Sequence, residues 1–251
     1  MNTELEELFQ NKYHLLYACA YRMTGNHHNA EDVLQNAYLK AYKNLHKFEG
    51  KSHMYTWLYR IVINESHRFF ETIDKLPLQR ITEYRGISEA EFFESLSYEP
   101  DFNDNIIIEE MREKCLQAFL KCVPKNQRVC FLLKTCLNLK IKEIAEVMGI
   151  SESNVKITLY RGRQKLKELL QARCNLIDPE KPCECYLWVR YMRDNNIEIP
   201  VIHYQQKAEE LKKEYFKNMS ILKKIGYMYN VEPRSTKEEF VRQLKEIVDI
   251  L

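Results

Sequence analysis

Polar and cationic side chains recur along one helical segment of this 251-residue chain, between Ser153 and Arg163. Arginine and lysine pair with guanine edges in duplex DNA, and cations and hydroxyls also bind phosphate oxygens. The pattern therefore favours recognition of a nucleic-acid duplex over catalysis. The residues that project away from the apolar side of this segment include Lys156, Tyr160, Arg161 and Arg163.

Three cysteines near the carboxyl end form a second candidate for chemistry: Cys174, Cys183 and Cys185. They share a short stretch with two prolines, which constrain the loop. Thiolates bind zinc, and His203 is a candidate fourth ligand. The spacing is not that of a C-x-x-C motif, so two alternatives to zinc stay open. One is a redox-active thiol group, and the other is a turn packed with inert thiols.

The cationic segment belongs to a predicted helix-turn-helix, whose second helix fits the DNA major groove. Gly149 supplies the positive φ that ends the first helix, and Ser151 is expected to cap the second. An ordinary helical hairpin with a solvated basic surface is the alternative. The first helix carries one apolar stripe, formed by Ile141, Ile144, Ala145 and Met148.

Charge supports the nucleic-acid interpretation. Between Lys121 and Arg173 there are twelve Lys or Arg residues against four Asp or Glu, so this segment carries +8. The whole chain carries only +2. A phosphate-binding surface requires positive charge concentrated in this way.

The amino-terminal part has the pattern of three helices. Asn29 is predicted to cap the second helix, and Ser52 is predicted to cap the third. Trp57 is expected to join the core between them. Aromatic and cationic residues alternate on the third helix, as in proteins that stack unpaired bases and bind phosphate. The buried stripe of the second helix is predicted as Val33, Ala37, Ala41 and Leu45, with Leu34 and Tyr38 beside it.

The predicted fold class is all-α, because glycine and proline are sparse, with 6 and 7 residues. Residues 1–73 form a helical bundle, and residues 105–173 form the helix-turn-helix domain. Residues 74–104 are predicted to be a solvated acidic linker, with eight acidic and three basic residues and a candidate short helix from Ile87 to Leu96. Residues 174–251 form a cysteine-containing helical extension.

Several functional classes are not expected. No long uncharged apolar run and no basic-then-apolar leader occur, so neither a membrane span nor a signal peptide is predicted. A cytoplasmic protein with reduced cysteines is the expectation. Paired carboxylates, a nucleophile constellation and a phosphate loop are not evident, so no enzyme is predicted.

Two separated blocks resemble one family, the extracytoplasmic-function (ECF) group of bacterial RNA polymerase sigma factors. The block AEDVLQNAYLKAYKNLHKFEGKSHMYTWLYRIVIN resembles region 2, including its AED-x-x-Q start and its TWLYRI-x-x-N run. The block VPKNQRVCFLLKTCLNLKIKEIAEVMGISESNVKITLYRGRQKL resembles region 4. With their flanks they cover about Leu5 to Arg173. The resemblance implies a factor that binds core RNA polymerase, recognises the −35 and −10 promoter elements and helps to initiate transcription.

The resemblance also implies roles for individual residues. The family helix that starts with AED-x-x-Q docks on core polymerase, which maps onto Asp32, Gln35 and Asn36. The −35 contacts of the family map onto the cationic segment described above, at Ser153, Lys156, Ile157, Tyr160, Arg161 and Arg163. Gly162 stands where alanine is frequent, and should cost about 1 kcal/mol relative to it. Capture of unstacked −10 bases maps onto Phe48, Lys51, Ser52, His53, Arg60 and Asn64.

Two questions stay open. A stand-alone helix-turn-helix regulator is the alternative function, although such a protein needs no polymerase-docking helix. A separate anti-sigma protein as a further partner is neither required nor excluded by the sequence. The extension is predicted to contain amphipathic helices at 207–225 and 236–251, and to be a regulatory or partner-binding tail that packs on the sigma domains.

Overall fold

The computed structural model describes residues 2–100, 104–197 and 219–230, and within these ranges no strand is formed. The all-α prediction is confirmed. Short 3-10 helices at Leu45–Lys47 and His67–Phe69 follow the second and third α-helices. The α-helices are α1 (Asn2–Thr24), α2 (His27–Asn44), α3 (Met54–Ser66), α4 (Pro77–Arg85), α5 (Glu89–Glu94), α6 (Asp104–Lys121), α7 (Lys125–Thr135), α8 (Ile141–Met148), α9 (Glu152–Gln171), α10 (Cys185–Asp194) and α11 (Ile221–Asn230).

The chain divides into two compact units. The first contains Met1–Glu71, Pro124–Gly162 and, from the carboxyl end, Tyr229. The second contains Thr72–Val123 and Arg163–Met228. One boundary between the units lies between Glu71 and Thr72, and α9 contributes residues to both units.

The core of the first unit includes α1, α2 and α3. All six residues of the predicted α2 stripe are buried. The helix starts earlier than predicted, because Asn26 rather than Asn29 is its cap. The Asn26 side chain accepts a hydrogen bond from the backbone N–H of Asn29, at 3.1 Å.

The third helix also differs from its prediction. It begins at Met54, with His53 rather than Ser52 in the cap position and no side-chain cap bond. Its buried face includes Leu58, Tyr59, Val62 and Ile63. Trp57 is only half-buried, so the expectation that it joins the core is wrong in part. Neighbouring residues of the helix occupy the core in its place.

The helix-turn-helix is formed by α8 and α9. Gly149 ends α8 with φ +67°, as predicted, and the Ser151 hydroxyl accepts a hydrogen bond from Asn154 N at 3.3 Å. Ile144 and Val147 are the fully buried residues of α8. Val147 was absent from the predicted stripe, while the other three members of that stripe are only half-buried.

Residues 74–104 are more structured than the predicted solvated linker. They contain α4 and α5, and Ser88 starts α5 with a capping box to Glu91. Phe92 is fully buried and Phe93 nearly so, and both join a core cluster with Trp188 from α10. Because the acidic side chains lie on the outer faces of these helices, composition alone concealed the buried aromatic pair.

Three earlier predictions fall outside the described residues. These are His203, the helix at 236–251 and most of the helix at 207–225. Among the helices that are described, none is long and apolar enough to cross a membrane.

Candidate nucleic-acid and polymerase interfaces

The second helix of the helix-turn-helix, α9, separates its apolar and polar residues by face. Val155, Leu159, Leu166 and Leu170 are buried. This spacing anchors one side of the helix along its length and leaves the opposite side to solvent. The hydrogen bond to the Ser151 hydroxyl caps the first turn of α9 and so sets the residue at which the helix begins.

The exposed side of α9 carries the predicted duplex contacts. Ser153, Lys156 and Arg161 are exposed, whereas Arg163 is half-buried. Ile157 and Tyr160 are 49% and 64% exposed, which is unusual for apolar and aromatic residues of this size. Exposed cations beside an exposed ring and an apolar side chain can bind base edges, phosphates and a thymine methyl group. We call these six residues the α9 face.

Gly162 lies on the opposite side of α9, at a close approach to α7. A Cβ atom built at this position would lie 3.0 Å from the backbone oxygen of Gln127 and 3.3 Å from its Cβ. The glycine is therefore buried against a neighbouring helix. From the sequence, only its helix-propensity cost was apparent.

The predicted polymerase-docking residues lie on the outer side of α2. Asp32, Gln35 and Asn36 are all half-buried. The Asn36 amide donates to the backbone oxygen of Asp32 at 2.7 Å, so it is partly used within its own helix. The Asp32 carboxylate lies 3.9 Å from His28 Nε2, and its side chain is 41% exposed. A carboxylate and an amide are thus available together on this helix.

The predicted base-capturing residues lie on the loop before α3 and on α3 itself. Lys51, His53, Arg60 and Asn64 are exposed, and Ser52 is half-buried. Gly50 turns the loop with φ +69°. Lys51 pairs with Glu49 within the same loop. We call this set, together with Phe48, the strand-capture face.

Aromatic rings accompany the strand-capture face. The Phe48 and Trp57 rings have centroids 5.4 Å apart, and both are half-buried. The rings of His53 and Tyr55 stack with centroids 5.1 Å apart and an interplanar angle of 9°. Half-exposed rings next to cations are suited to stacking unpaired bases. Trp57 and Tyr55 were not among the predicted site residues, although their alternation with cations was a signal.

Two residues of the α3 region contact α8. The Tyr55 hydroxyl donates a hydrogen bond to Glu143 Oε1, and Arg60 Nη2 donates to the backbone oxygen of Glu146. The bond to Glu143 raises the pKa of Tyr55. Burial acts to raise the pKa of Glu143, but hydrogen bonds from Tyr55 and from Lys140 N outweigh it, so that pKa is lowered.

Two family models match the chain over the elements just described. The model for Sigma-70 region 2 matches residues 8–75, and the model for Sigma-70, region 4 matches residues 113–166. ECF RNA polymerase sigma factor SigW of Bacillus subtilis is 30% identical over 174 residues, which are 67% of this chain and 88% of that protein. The chain belongs to the ECF sigma factors. It therefore acts in transcription initiation.

Other relatives agree with this assignment. The ECF RNA polymerase sigma-E factor of Escherichia coli K12 is 28% identical over 142 residues, 56% of this chain and 73% of that factor. A solved structure of CnrH in complex with the cytosolic domain of CnrY is similar in fold, with 19% identity and a TM-score of 0.50. It covers 68% of this chain and 90% of that chain.

This sigma factor carries a cluster of thiols that lies in its second unit. Cys174 and Cys183 form an isolated β-bridge, and Cys185 begins α10. Cys115 on α6 lies near enough to the other three thiols to raise its pKa, although burial is the larger cause. Sequence reasoning missed Cys115, because it is distant along the chain.

Burial dominates the chemistry of these thiols. It raises the pKa of Cys183 and Cys185 to about 12 and also raises the pKa of Cys174. Among the residues that the structure describes, no group of three or more His, Cys, Asp or Glu side chains is arranged to hold a metal ion. Zinc binding by Cys174, Cys183 and Cys185 therefore stays a prediction.

Proposed function

We propose that the α9 face of this sigma factor recognises the −35 promoter element as duplex DNA. The observation that carries this proposal is the exposure of Lys156, Tyr160 and Arg161 on the helix that follows the Gly149 turn. Lysine and arginine provide base-edge and phosphate contacts, and the buried residues on the far side of the helix fix their direction. The local charge of +8 supports binding to phosphate.

The strand-capture face binds the non-template strand of the −10 element. Separating duplex DNA costs base stacking, and a protein that holds unstacked bases offsets that cost without an external energy source. Arg60 and Lys51 supply charge for phosphates, while Phe48 and Trp57 supply rings. Asp32, Gln35 and Asn36 dock on core polymerase from α2.

Partners and location follow from this mechanism. Core polymerase and promoter DNA are the partners, the factor works in the cytoplasm, and it supplies binding rather than catalysis. CnrH, whose fold is similar, binds the cytosolic domain of CnrY, and by that similarity a separate anti-sigma protein is a further partner of this chain.

The experiment separates DNA recognition from polymerase binding. We expect Lys156→Ala and Arg161→Ala to weaken binding to a −35 duplex selected from a promoter library by roughly 5- to 150-fold, which is 1–3 kcal/mol for a base-edge contact. Both variants should compete for core polymerase as the parent does. Asp32→Ala should lose that competition and keep duplex binding.

Matched controls come from exposed residues outside these faces. Lys223→Ala and Asp74→Ala should leave both measurements unchanged. Loss of transcription without any change in core binding by Asp32→Ala would show that the docking surface lies elsewhere. Duplex binding with no association to core polymerase would favour the stand-alone regulator.

A further inference from the structure

The strand-capture face is engaged by the chain itself, within the first unit. Arg60 Nη2 donates to the backbone oxygen of Glu146, and the neighbouring Tyr55 hydroxyl donates to the Glu143 carboxylate. Both acceptors lie on α8, the first helix of the helix-turn-helix. The helix proposed to bind the −10 strand, α3, therefore contacts the helix-turn-helix through polar groups of Tyr55 and Arg60.

α8 presents carbonyl and carboxylate oxygens, which carry negative charge as the phosphate oxygens of a nucleic-acid strand do. Glu146 is among the last four residues of α8, whose carbonyl oxygens lack partners within the helix and carry partial negative charge. Arg60 binds this negative helix end as it would bind a phosphate. Glu143 adds a full negative charge, held in place by the backbone N–H of Lys140 at 2.6 Å.

The position of these acids is notable within a basic segment. Only four acidic residues occur between Lys121 and Arg173, and Glu143 and Glu146 are two of them. The charge of Glu146 also contributes to the raised pKa of Tyr55, which places that carboxylate near the same face. Two of the four acidic residues of this segment thus lie near Tyr55 and Arg60.

A residue of the carboxyl-terminal extension strengthens the same arrangement. Tyr229 is 1% exposed, and its ring packs edge-on against Phe131 of α7, with centroids 5.3 Å apart. On its other side the guanidinium of Arg22, from α1, lies 5.6 Å from the ring centroid. The Cys136 thiol donates to the Tyr229 backbone oxygen at 3.3 Å. One tyrosine therefore contacts both the region 2 and the region 4 segments.

A buried arginine makes a further link between the same segments. Arg128 of α7 is 1% exposed and donates to the backbone oxygen of Glu71 at 2.8 Å. Its guanidinium lies 5.1 Å from the ring centroid of Phe70. Burying a cation is costly unless it is well paired, so this contact favours one defined arrangement.

We propose that α8 acts as an intramolecular DNA mimic that occupies Arg60 of the strand-capture face and its neighbour Tyr55, and that Tyr229 of the extension latches this closed state. The inference rests on the proposed function, since it assumes that the strand-capture face binds the −10 strand. The α9 face stays free of this contact in the closed state, so duplex recognition is available while Arg60 and Tyr55 are engaged by α8.

The test measures binding of a fluorescein-labelled, mixed-sequence single-stranded 20-mer to the full chain. Tyr55→Phe removes the hydroxyl and keeps the ring, so we expect about two- to tenfold tighter binding, the equivalent of one hydrogen bond. Glu143→Gln should act in the same direction. In the double variant the increase in affinity should be smaller than the product of the two single increases, because both substitutions remove the same hydrogen bond.

Hydrogen exchange, compared between matched variants, tests whether Tyr229 holds the closed state. Tyr84→Phe, at a residue 91% exposed, is the control for Tyr55→Phe, and Leu222→Ala is the control for Tyr229→Leu. Hydrogen exchange should become faster in both 54–66 and 141–148 in Tyr229→Leu but not in Leu222→Ala. Unchanged circular dichroism in Tyr229→Leu establishes that the helices remain folded.

The outcomes separate this inference from the proposed function. Unchanged single-strand affinity in Tyr55→Phe and Glu143→Gln, together with normal core binding, would overturn the mimic and leave the sigma function intact. Unchanged exchange in Tyr229→Leu would overturn the latch. Failure of every variant and the parent to bind core polymerase would overturn the proposed function itself.

Discussion

At the scale of single residues, environment decides what a side chain type can do. Gly162 looked like a weak point of the recognition helix, yet its missing Cβ allows α7 to approach closely. Zinc ligation was one of three predictions for the cysteines, and the structure adds that burial raises the pKa of the Cys183 and Cys185 thiols to about 12. The neighbours that matter, Gln127 for Gly162 and Cys115 for the thiols, lie far away in the sequence.

Gly162→Ala is expected to lower the free energy of unfolding, or leave it unchanged, instead of raising it. Alanine gains about 1 kcal/mol in helix propensity, but its Cβ would lie 3.0 Å from Gln127 O and must push α7 away. Gly226→Ala is the control, because no atom lies within 4 Å of the added Cβ there. Urea unfolding of both variants measures the difference. A gain of about 1 kcal/mol in each variant would contradict the close approach.

The thiols of Cys183 and Cys185 should react slowly with Ellman's reagent in the folded protein at pH 8. Their pKa is raised to about 12 by burial, so little thiolate is present, and the rate should rise with pH. In urea the reaction should be fast. Metal analysis of the purified protein tests the zinc prediction in parallel. One tightly held zinc per chain, released as the thiols react, would support zinc and exclude inert packed thiols.

At the scale of elements, hydrophobic periodicity gave the long helices correctly, whereas α4 and the caps of α2 and α3 were missed. The α2 stripe is buried as predicted, because apolar residues at helical spacing lie on one face of the helix. In the acidic segment 74–104 a short helix was expected within 87–96, where α5 forms, but its core residues were not, because the charges on the outer faces of α4 and α5 dominate the composition. Their buried aromatic residues show that this segment contributes to a core.

Phe92→Ala is expected to reduce the free energy of unfolding by about 3–5 kcal/mol. The Phe92 ring is fully buried and packs against Trp188 and Tyr191, with centroids 5.7 and 5.3 Å away. Tyr84→Ala, at an exposed residue close by, should change it by less than about 0.5 kcal/mol. Guanidinium unfolding compares the two. Similar small effects would indicate that residues 74–104 are a solvated connector after all.

At the scale of the whole molecule, the distribution of charge matters more than its sum. A net charge of +2 conceals a segment of +8, and that segment contains the proposed duplex-binding helix. Two of its few acidic residues face the proposed strand-capture residues through α8. The same fold thus leaves the α9 face free, while α8 engages Arg60 of the strand-capture face.

The sequence alone determined the all-α class, the helix-turn-helix with its glycine turn and serine cap, and the resemblance to ECF sigma factors. These features depend on local spacing, which is visible in one dimension. Only the tertiary structure decided that Cys115 joins the thiol cluster, that Trp57 is half-exposed, and that Tyr229 lies between Arg22 and Phe131. Such contacts join residues far apart in the chain, and packing selects them from many alternatives of similar composition.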